Sequence, residues 1–432
     1  MSTPHGHGSK GGAHTSGSSK AGRGKRCEET SRRDFLRAGA ASLVGIAVAS
    51  YPAMAIDTAP KKVRMGVVGG GFGCDFQWHE HPDCLVEAVS DLRPERRERL
   101  TKRYNCDKAY NSLEELVKDP KVDAVAIFTD GPLHVQHVVE AMKHDKHVIS
   151  AVPASLGGGI DRAELLLDTV KKYGLTYMMA ETSYYQQKTI SARMFHQEAK
   201  FGEIFYCESE YQHPGLESLY FEHGKRTWRH GLPPMLYPTH CTAHLISVTG
   251  ERLMEVTCHG WGDDSPILED NAFNNPFWNG SAMFRTNRGH GFRVNIWWKG
   301  AHRGCERAQW IGTKMSFYDA HPNGMGSVIV RSGKQTETDD AGFTRTLQEF
   351  EPYPQPEWWK TDMLPEPLRH NSGHEGSHTF LTHEFIDALT HGRRPTVDVY
   401  EALAYTAPGI IAHESALRRG EQMKIPQYER PS

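Results

Sequence analysis

The chain is 432 residues long and carries 50 Lys and Arg against 53 Asp and Glu, a net charge of −3. That length suits about two ordinary domains, and 38% hydrophobic residues can build cores without supporting a polytopic membrane protein. Such balanced charge leaves no electrostatic footprint for nucleic acid, so none is expected as a partner.

The opening residues differ from the rest. Ser2 to Lys25 is rich in Gly, Ser, His and Lys and cannot bury a core. Ser31-Arg32-Arg33-Asp34-Phe35-Leu36 follows, then a small apolar run from Ala38 to Ala49, then Ala53-Met54-Ala55. An arginine pair, a short apolar run and an A-x-A site in that order read as a twin-arginine export signal over residues 1–55. The run is short for a bilayer, so processing after Ala55 should leave no membrane attachment. A periplasmic or secreted location is expected. Of the eight cysteines, Cys27 lies in this leader, and the other seven show no C-x-x-C spacing. A disulfide is permitted but not required.

Val63-Arg64-Met65-Gly66-Val67-Val68 is an apolar run of the kind buried on both faces of a sheet. Gly69-Gly70-Gly71-Phe72-Gly73 follows, then an expected helix, then the strand-like Leu85 to Ser90 ending at Asp91. Asp91 lies 22 positions after Gly69, the spacing of a dinucleotide fold. Glycines let a backbone approach a pyrophosphate, a helix N-terminus offers free N–H groups, and the acid can accept from a ribose diol. Gly69, Gly71, Phe72, Gly73 and Asp91 are therefore cofactor candidates, although Cys74 occupies the third glycine position of the motif. Asp91 favours NAD, and Arg93 keeps NADP open.

Further along, Ser112 to Val117 and Leu133 to Lys143 read as helices, with the strand Ala124 to Phe128 between them. Thr129 to His134 turns the chain at the sheet edge. Lys146 to Ser150 is a strand, Asp161 to Lys172 a helix and Leu175 to Ala180 a strand. This alternation over 61–181 predicts a Rossmann-type α/β domain with a doubly wound parallel sheet. Beyond Gly202, alternating runs (Ile204–Tyr211, Glu255–Trp261, Ser281–Thr286, Phe292–Trp298, Cys305–Ile311 and Lys314–Tyr318) predict an α+β domain over 182–428 with a largely antiparallel open sheet. Pro352 to Asn371 reads as irregular, and Phe380–Thr390 and Tyr400–Arg419 as closing helices.

The glycine turn, Thr129…His134, Lys146-His147-Val148…Pro153 and Pro395-Thr396-Val397-Asp398…Glu414-Ser415-Ala416 together resemble the Gfo/Idh/MocA oxidoreductases, from about Lys61 to Tyr428. The resemblance implies a bound NAD or NADP, a sugar or cyclitol substrate, and homo-oligomers packed through the second sheet. It places Thr129, His134, Val152 and Pro153 beside the cofactor. The family's lysine, in Glu-Lys-Pro, is replaced here by Ala151-Val152-Pro153, and valine can neither accept nor hold a proton. Val152-Pro153 with Tyr237-Pro238-Thr239-His240 is similar to the NAD-dependent glycosidases of glycoside hydrolase family 109. Those enzymes oxidise a sugar transiently and recycle NAD in each turnover, which suits an exported protein holding its cofactor tightly. That branch has a glutamate where this chain has Ala151, and Glu181 is a candidate to replace it.

These considerations give three expected functions. The first is an exported, tightly NAD(P)-loaded oxidoreductase acting on a carbohydrate by hydride transfer. The alternatives are a redox-assisted glycosidase and a non-catalytic sugar-binding protein of the same fold. His240 is the expected general base or acid. Tyr237, three residues earlier on the same expected helix, is expected to protonate a leaving group, bind a hydroxyl or pack. Tyr184 and Tyr185 follow the last Rossmann strand and are substrate candidates. His374-Glu375-Gly376-Ser377-His378 matches H-E-x-x-H, but Gly373 and Gly376 disfavour the helix that zinc would need. His374 is therefore read as a substrate contact, and no metal is expected.

Overall fold

The computed structural model describes residues 62–430. The expected export signal and Cys27 lie outside the described residues. Six strands, β1 (Val63–Val68), β2 (Cys84–Ser90), β3 (Ala109–Tyr110), β4 (Ala124–Ile127), β5 (His147–Ser150) and β6 (Tyr177–Met179), form one sheet in the order β3-β2-β1-β4-β5-β6. All its pairings are parallel. The apolar runs arise because both faces are covered. In β4, Val125 and Ile127 enter one core while Ala124 and Ala126 enter the other.

A second sheet is built from β7 (Ile204–Gln212), β10 (Leu253–Trp261), β11 (Asn279–Thr286), β12 (Gly291–Trp297), β13 (Cys305–Gly312), β14 (Met315–Tyr318), β15 (Val328–Thr338), β16 (Thr344–Pro352) and β17 (Met423–Lys424). A small hairpin, β8 (Phe221–Glu222) with β9 (Lys225–Arg226), stands apart. The large sheet runs β16-β15-β14-β13-β7-β12-β11-β10-β17, with a single parallel pairing, β7 to β12. Its inner face buries Phe284, Phe292, Trp310 and Phe317. The helix Thr239–Thr249 is fixed to this face where Trp310 Nε1 donates to the His244 carbonyl at 2.9 Å. On its other side, the Thr242 hydroxyl donates to the Tyr405 carbonyl in the helix Val399–Leu417. Among the described residues no helix is long and apolar enough to cross a membrane.

One expectation fails here, and one element is additional. The glycine turn is not followed by an α-helix but by two short 3₁₀ turns, Phe72–Asp75 and Trp78–Glu80. Side chains take the carbonyls a helix would have used. The Tyr104 hydroxyl binds the carbonyls of Gly73 and Phe76, and the single carbonyl of Asp75 is met by both Gln77 Nε2 and His378 Nδ1. Phe76 and Trp78 are drawn fully into the core, and Pro82 disfavours helix at the residue before it. The hairpin β15–β16 was not anticipated. Beyond Ser332 its side chains are almost all exposed, so no apolar alternation marks it.

The cysteines 74, 84, 106, 207, 241 and 258 are buried free thiols, and Cys305 is partly buried and also free.

Candidate active site

The carboxyl ends of the parallel strands open onto a cleft of about 330 Å³. Gly71 and Phe72 follow β1, Phe128, Thr129 and Asp130 follow β4, Ala151 and Val152 follow β5, and Ala180 and Thr182 follow β6. From the other side come Tyr211, Trp228, Arg229, Tyr237, His240 and His374. An adjoining groove of about 240 Å³ is lined by Gly69, Asp91, Arg93 and Ser112, and shares Arg96, Phe128, Thr129 and Asp130 with the cleft.

The glycine turn fits a dinucleotide, although without a following α-helix. Gly69 has φ +102, and a Cβ there would collide with the Phe128 carbonyl. A Cβ at Gly70 would collide with the Arg96 carbonyl, so the turn lies tight against its neighbours. The Gly70 amide donates to Asp91 Oδ2 at 2.6 Å. Those of Gly71 and Phe72 find no acceptor among the described residues and remain available to an anion. Arg96, whose guanidinium lies 3.8 Å from where a Cβ of Gly71 would be, supplies charge that the missing helix does not.

His240 occupies the first turn of the helix Thr239–Thr249 and is 4% exposed. Its Nδ1 lies 2.8 Å from Glu181 Oε1, 3.2 Å from Ser183 Oγ and 3.8 Å from Glu306 Oε1. Burial alone would lower the imidazole, but the two carboxylates outweigh it and hold its pKa up to about 9. His240 is therefore an imidazolium at neutral pH, with Nε2 the nitrogen left for the cleft. Glu181 is fully buried, yet the His240 charge overcomes that burial and keeps its carboxyl below the ordinary range. Replacing Glu181 by glutamine should therefore lower the His240 pKa by about one to two units. Titration of the His240 ring by NMR would measure this, and an unmoved pKa would assign the shift to Glu306.

Tyr237 sits just after the 3₁₀ turn Pro234–Leu236, before the helix, so it does not share a helical face with His240 as expected. The rings still meet, with centroids 5.4 Å apart, and Tyr211 packs 4.8 Å from His240 and 6.0 Å from Tyr237. Burial pushes the Tyr237 phenol up to about 12, so it stays a neutral donor.

His374 carries the opposite protonation. Residues 374–376 have left-handed φ (49, 58 and 86) that interrupt the helix Gly373–Thr390, so the H-E-x-x-H match is not helical. His378 Nδ1 faces the Asp75 carbonyl at 3.0 Å and must donate to it. In its neutral form His378 Nε2 then accepts from His374 Nδ1 at 2.8 Å. That fixes the His374 tautomer and leaves its Nε2 lone pair free. Burial, then the nearby His240 charge, hold His374 below the usual histidine value. The segment is anchored by the buried Lys188, whose Nζ lies 3.1 Å from Glu375 Oε1 and 3.5 Å from Asp319 Oδ2.

Several sequence candidates face elsewhere. Tyr185 is buried, bonds Thr396 Oγ1 at 3.0 Å and stacks on Phe380, while Tyr184 lies under the Arg193 guanidinium. The turn Thr182–Tyr185 presents Thr182 and Ser183 to His240 instead. Gly73 is buried beneath Phe128, and Pro153 gives its carbonyl to the His134 ring. His134 lines the cleft, but its second nitrogen lies against the Thr129 carbonyl, which makes it a clasp between the β4 and β5 exits. Arg93 is engaged by Glu222 at 2.6 Å through both terminal nitrogens.

Glu306 was missed. It shares the inner face of β13 with Ala308 and Trp310, and a carboxylate in that buried register was the available signal.

Residues 63–181 match the oxidoreductase family with an NAD-binding Rossmann fold. Over that segment the chain is similar to the Gfo/Idh/MocA oxidoreductases. Residues 326–432 match the C-terminal domain of glycosyl hydrolase 109. A glycosyl hydrolase family 109 protein of Solibacter usitatus is 26% identical, aligned over 93% of this chain and 98% of that protein. One of Streptomyces coelicolor is 22% identical over 93% and 88%. Among solved structures, levoglucosan dehydrogenase in complex with NADH has a TM-score of 0.66 at 16% identity, covering 85% of this chain and 100% of that one. The scyllo-inositol dehydrogenase of Lactobacillus casei with NAD(H) and scyllo-inositol has 0.59 at 15%, covering 84% and 99%.

Proposed function

We propose that this Gfo/Idh/MocA protein is an NAD-dependent glycosidase that oxidises its sugar transiently and returns the cofactor to its starting state in each turnover. The observation that carries this reading is that one cleft holds two histidines in opposite surroundings, His240 against the Glu181 and Glu306 carboxylates that raise its pKa and His374 against His378, where burial lowers it. Environments that push two titratable groups apart assign an acid and a base. Gly71, Phe72, Asp91 and Thr129 would hold the dinucleotide, which supplies reversible hydride transfer when bound. His374 Nε2 takes the proton from a sugar hydroxyl, and His240 Nε2–H gives one to the leaving oxygen. Tyr237 donates a hydrogen bond to the sugar, and Trp228 offers a stacking face. Val152 contributes no proton transfer, so the lysine route of the wider family is not available. The likeness to glycosyl hydrolase 109 proteins supports the same reading.

Ala151, where that branch has a glutamate, favours a second reading, a dehydrogenase that releases oxidised sugar. The division into residues 61–181 and 182–428 remains part of this proposal, with the cleft between them. So does export. Arg32-Arg33 and Ala53-Met54-Ala55 support it, and an exported enzyme is served by a dinucleotide that never leaves. Assembly through the outer face of the large sheet is supported by the exposed Met283, which lies opposite Arg293 and its Glu208 partner.

Denatured protein should release NAD, and a panel of aryl glycosides should yield aglycone without net NADH. NADH accumulating with free sugars would select the dehydrogenase. Silence in both assays would select a sugar-binding protein.

A further inference from the structure

The segment between β7 and the turn Pro234–Leu236 carries the β8–β9 hairpin, which is anchored on the large-sheet side. Tyr220 is fully buried and stacks on Trp278, the Thr227 amide donates to the Tyr220 carbonyl at 2.8 Å, and Arg226 pairs with Asp270 at 2.6 Å. From this base Glu222 reaches the start of the helix Pro94–Tyr104 on the parallel-sheet side. Its two oxygens meet Arg93 Nη1 and Nη2, each at 2.6 Å, and Oε1 lies 3.4 Å from Arg96 Nη2.

Arg93 and Arg96 both line the groove that holds Asp91. Asp91 itself is fixed, since Oδ2 accepts from the Gly70 amide and Oδ1 from that of Arg93 at 2.9 Å. An arginine beside such an acid is the usual receiver of a ribose 2′-phosphate, because its planar fork matches phosphate oxygens in pairs. Here that fork is already filled by a carboxylate in the geometry a phosphate would need. A 2′-phosphate would have to displace Glu222 while lying near Asp91, whereas a 2′-hydroxyl has only to donate to Asp91.

We infer that Glu222 is a specificity-determining residue that excludes 2′-phosphorylated dinucleotides by occupying Arg93 and Arg96. Selectivity at the ribose is thus set by an arm belonging to the other half of the molecule. The inference rests on the groove being the dinucleotide site.

Titration calorimetry with cofactor-stripped full-length protein, using NAD and NADP as probes, tests it. The wild type should prefer NAD by at least about tenfold. Glu222→Ala should tighten NADP by at least about tenfold and leave NAD within about threefold, and adding Arg93→Ala should cancel the gain. Glu222→Gln, which keeps the shape without the charge, should fall between. Unchanged NADP affinity in Glu222→Ala, or a wild type that binds both equally, would overturn the inference while leaving the groove assignment standing. A wild type that binds neither would overturn both.

Discussion

His240→Ala should lower kcat on the order of 1,000-fold while the purified variant still releases a full complement of dinucleotide on denaturation. The separation follows from position. His240 belongs to the helix Thr239–Thr249 on the large sheet, whereas the glycine turn and Asp91 follow β1 and β2. The alanine variant also leaves two carboxylates, Glu181 and Glu306, without the charge between them. Breaking a buried pair costs about 3 kcal/mol or more, so this variant should also melt earlier. His240→Asn separates the two effects, because its amide can still donate to Glu181 Oε1. It should recover much of the lost stability but none of the rate. An asparagine variant with wild-type turnover would mean that His240 moves no proton.

The rate should be flat across neutral pH and fall on both sides, with the two limbs assigned to two histidines. His374 must be neutral to accept a proton, and its pKa lies below the ordinary histidine value, so activity falls as acid protonates it. His240 must be charged to donate, and its pKa of about 9 places the alkaline limb there. His374→Gln should therefore abolish the acid limb together with most of the rate, and leave the alkaline limb in place. An acid limb unchanged in that variant would move the base role elsewhere. Stability should follow the same ion pair. Because the folded His240 pKa is raised, its contribution is complete below the unfolded value near 6.5 and is lost as pH rises through about 9. The depressed Glu181 contributes with the opposite sign, its share present at neutral pH and lost on acidification.

The parallel sheet was legible because strands covered on both faces leave short apolar runs such as Ala124 to Ile127, here alternating with helical patterns. His240, Phe72 and Thr129, which line the cleft, were singled out through short motifs, which survive in sequence because their residues are neighbours. Other parts of the site have no such record. Glu222 and Arg93 are 129 residues apart, and only the folded hairpin brings them together. Glu306 is an ordinary acid until the register of β13 turns it inward. The helix expected after Gly71 failed because Tyr104, a distant hydroxyl, competes for the carbonyls that local propensity would have paired. Tyr184 and Tyr185 were credited to the cleft because they follow β6, but a 3₁₀ turn chooses which side each residue faces.

The buried thiols bear on how this protein meets oxidants. Burial raises the pKa of every described cysteine, most strongly at Cys207 and Cys241, so little thiolate forms at neutral pH. Oxidants and disulfides react with thiolate, and only Cys305 offers them partial access. Among the described residues all seven thiols are free, and the burial that packs them into the core also keeps them in their unreactive form.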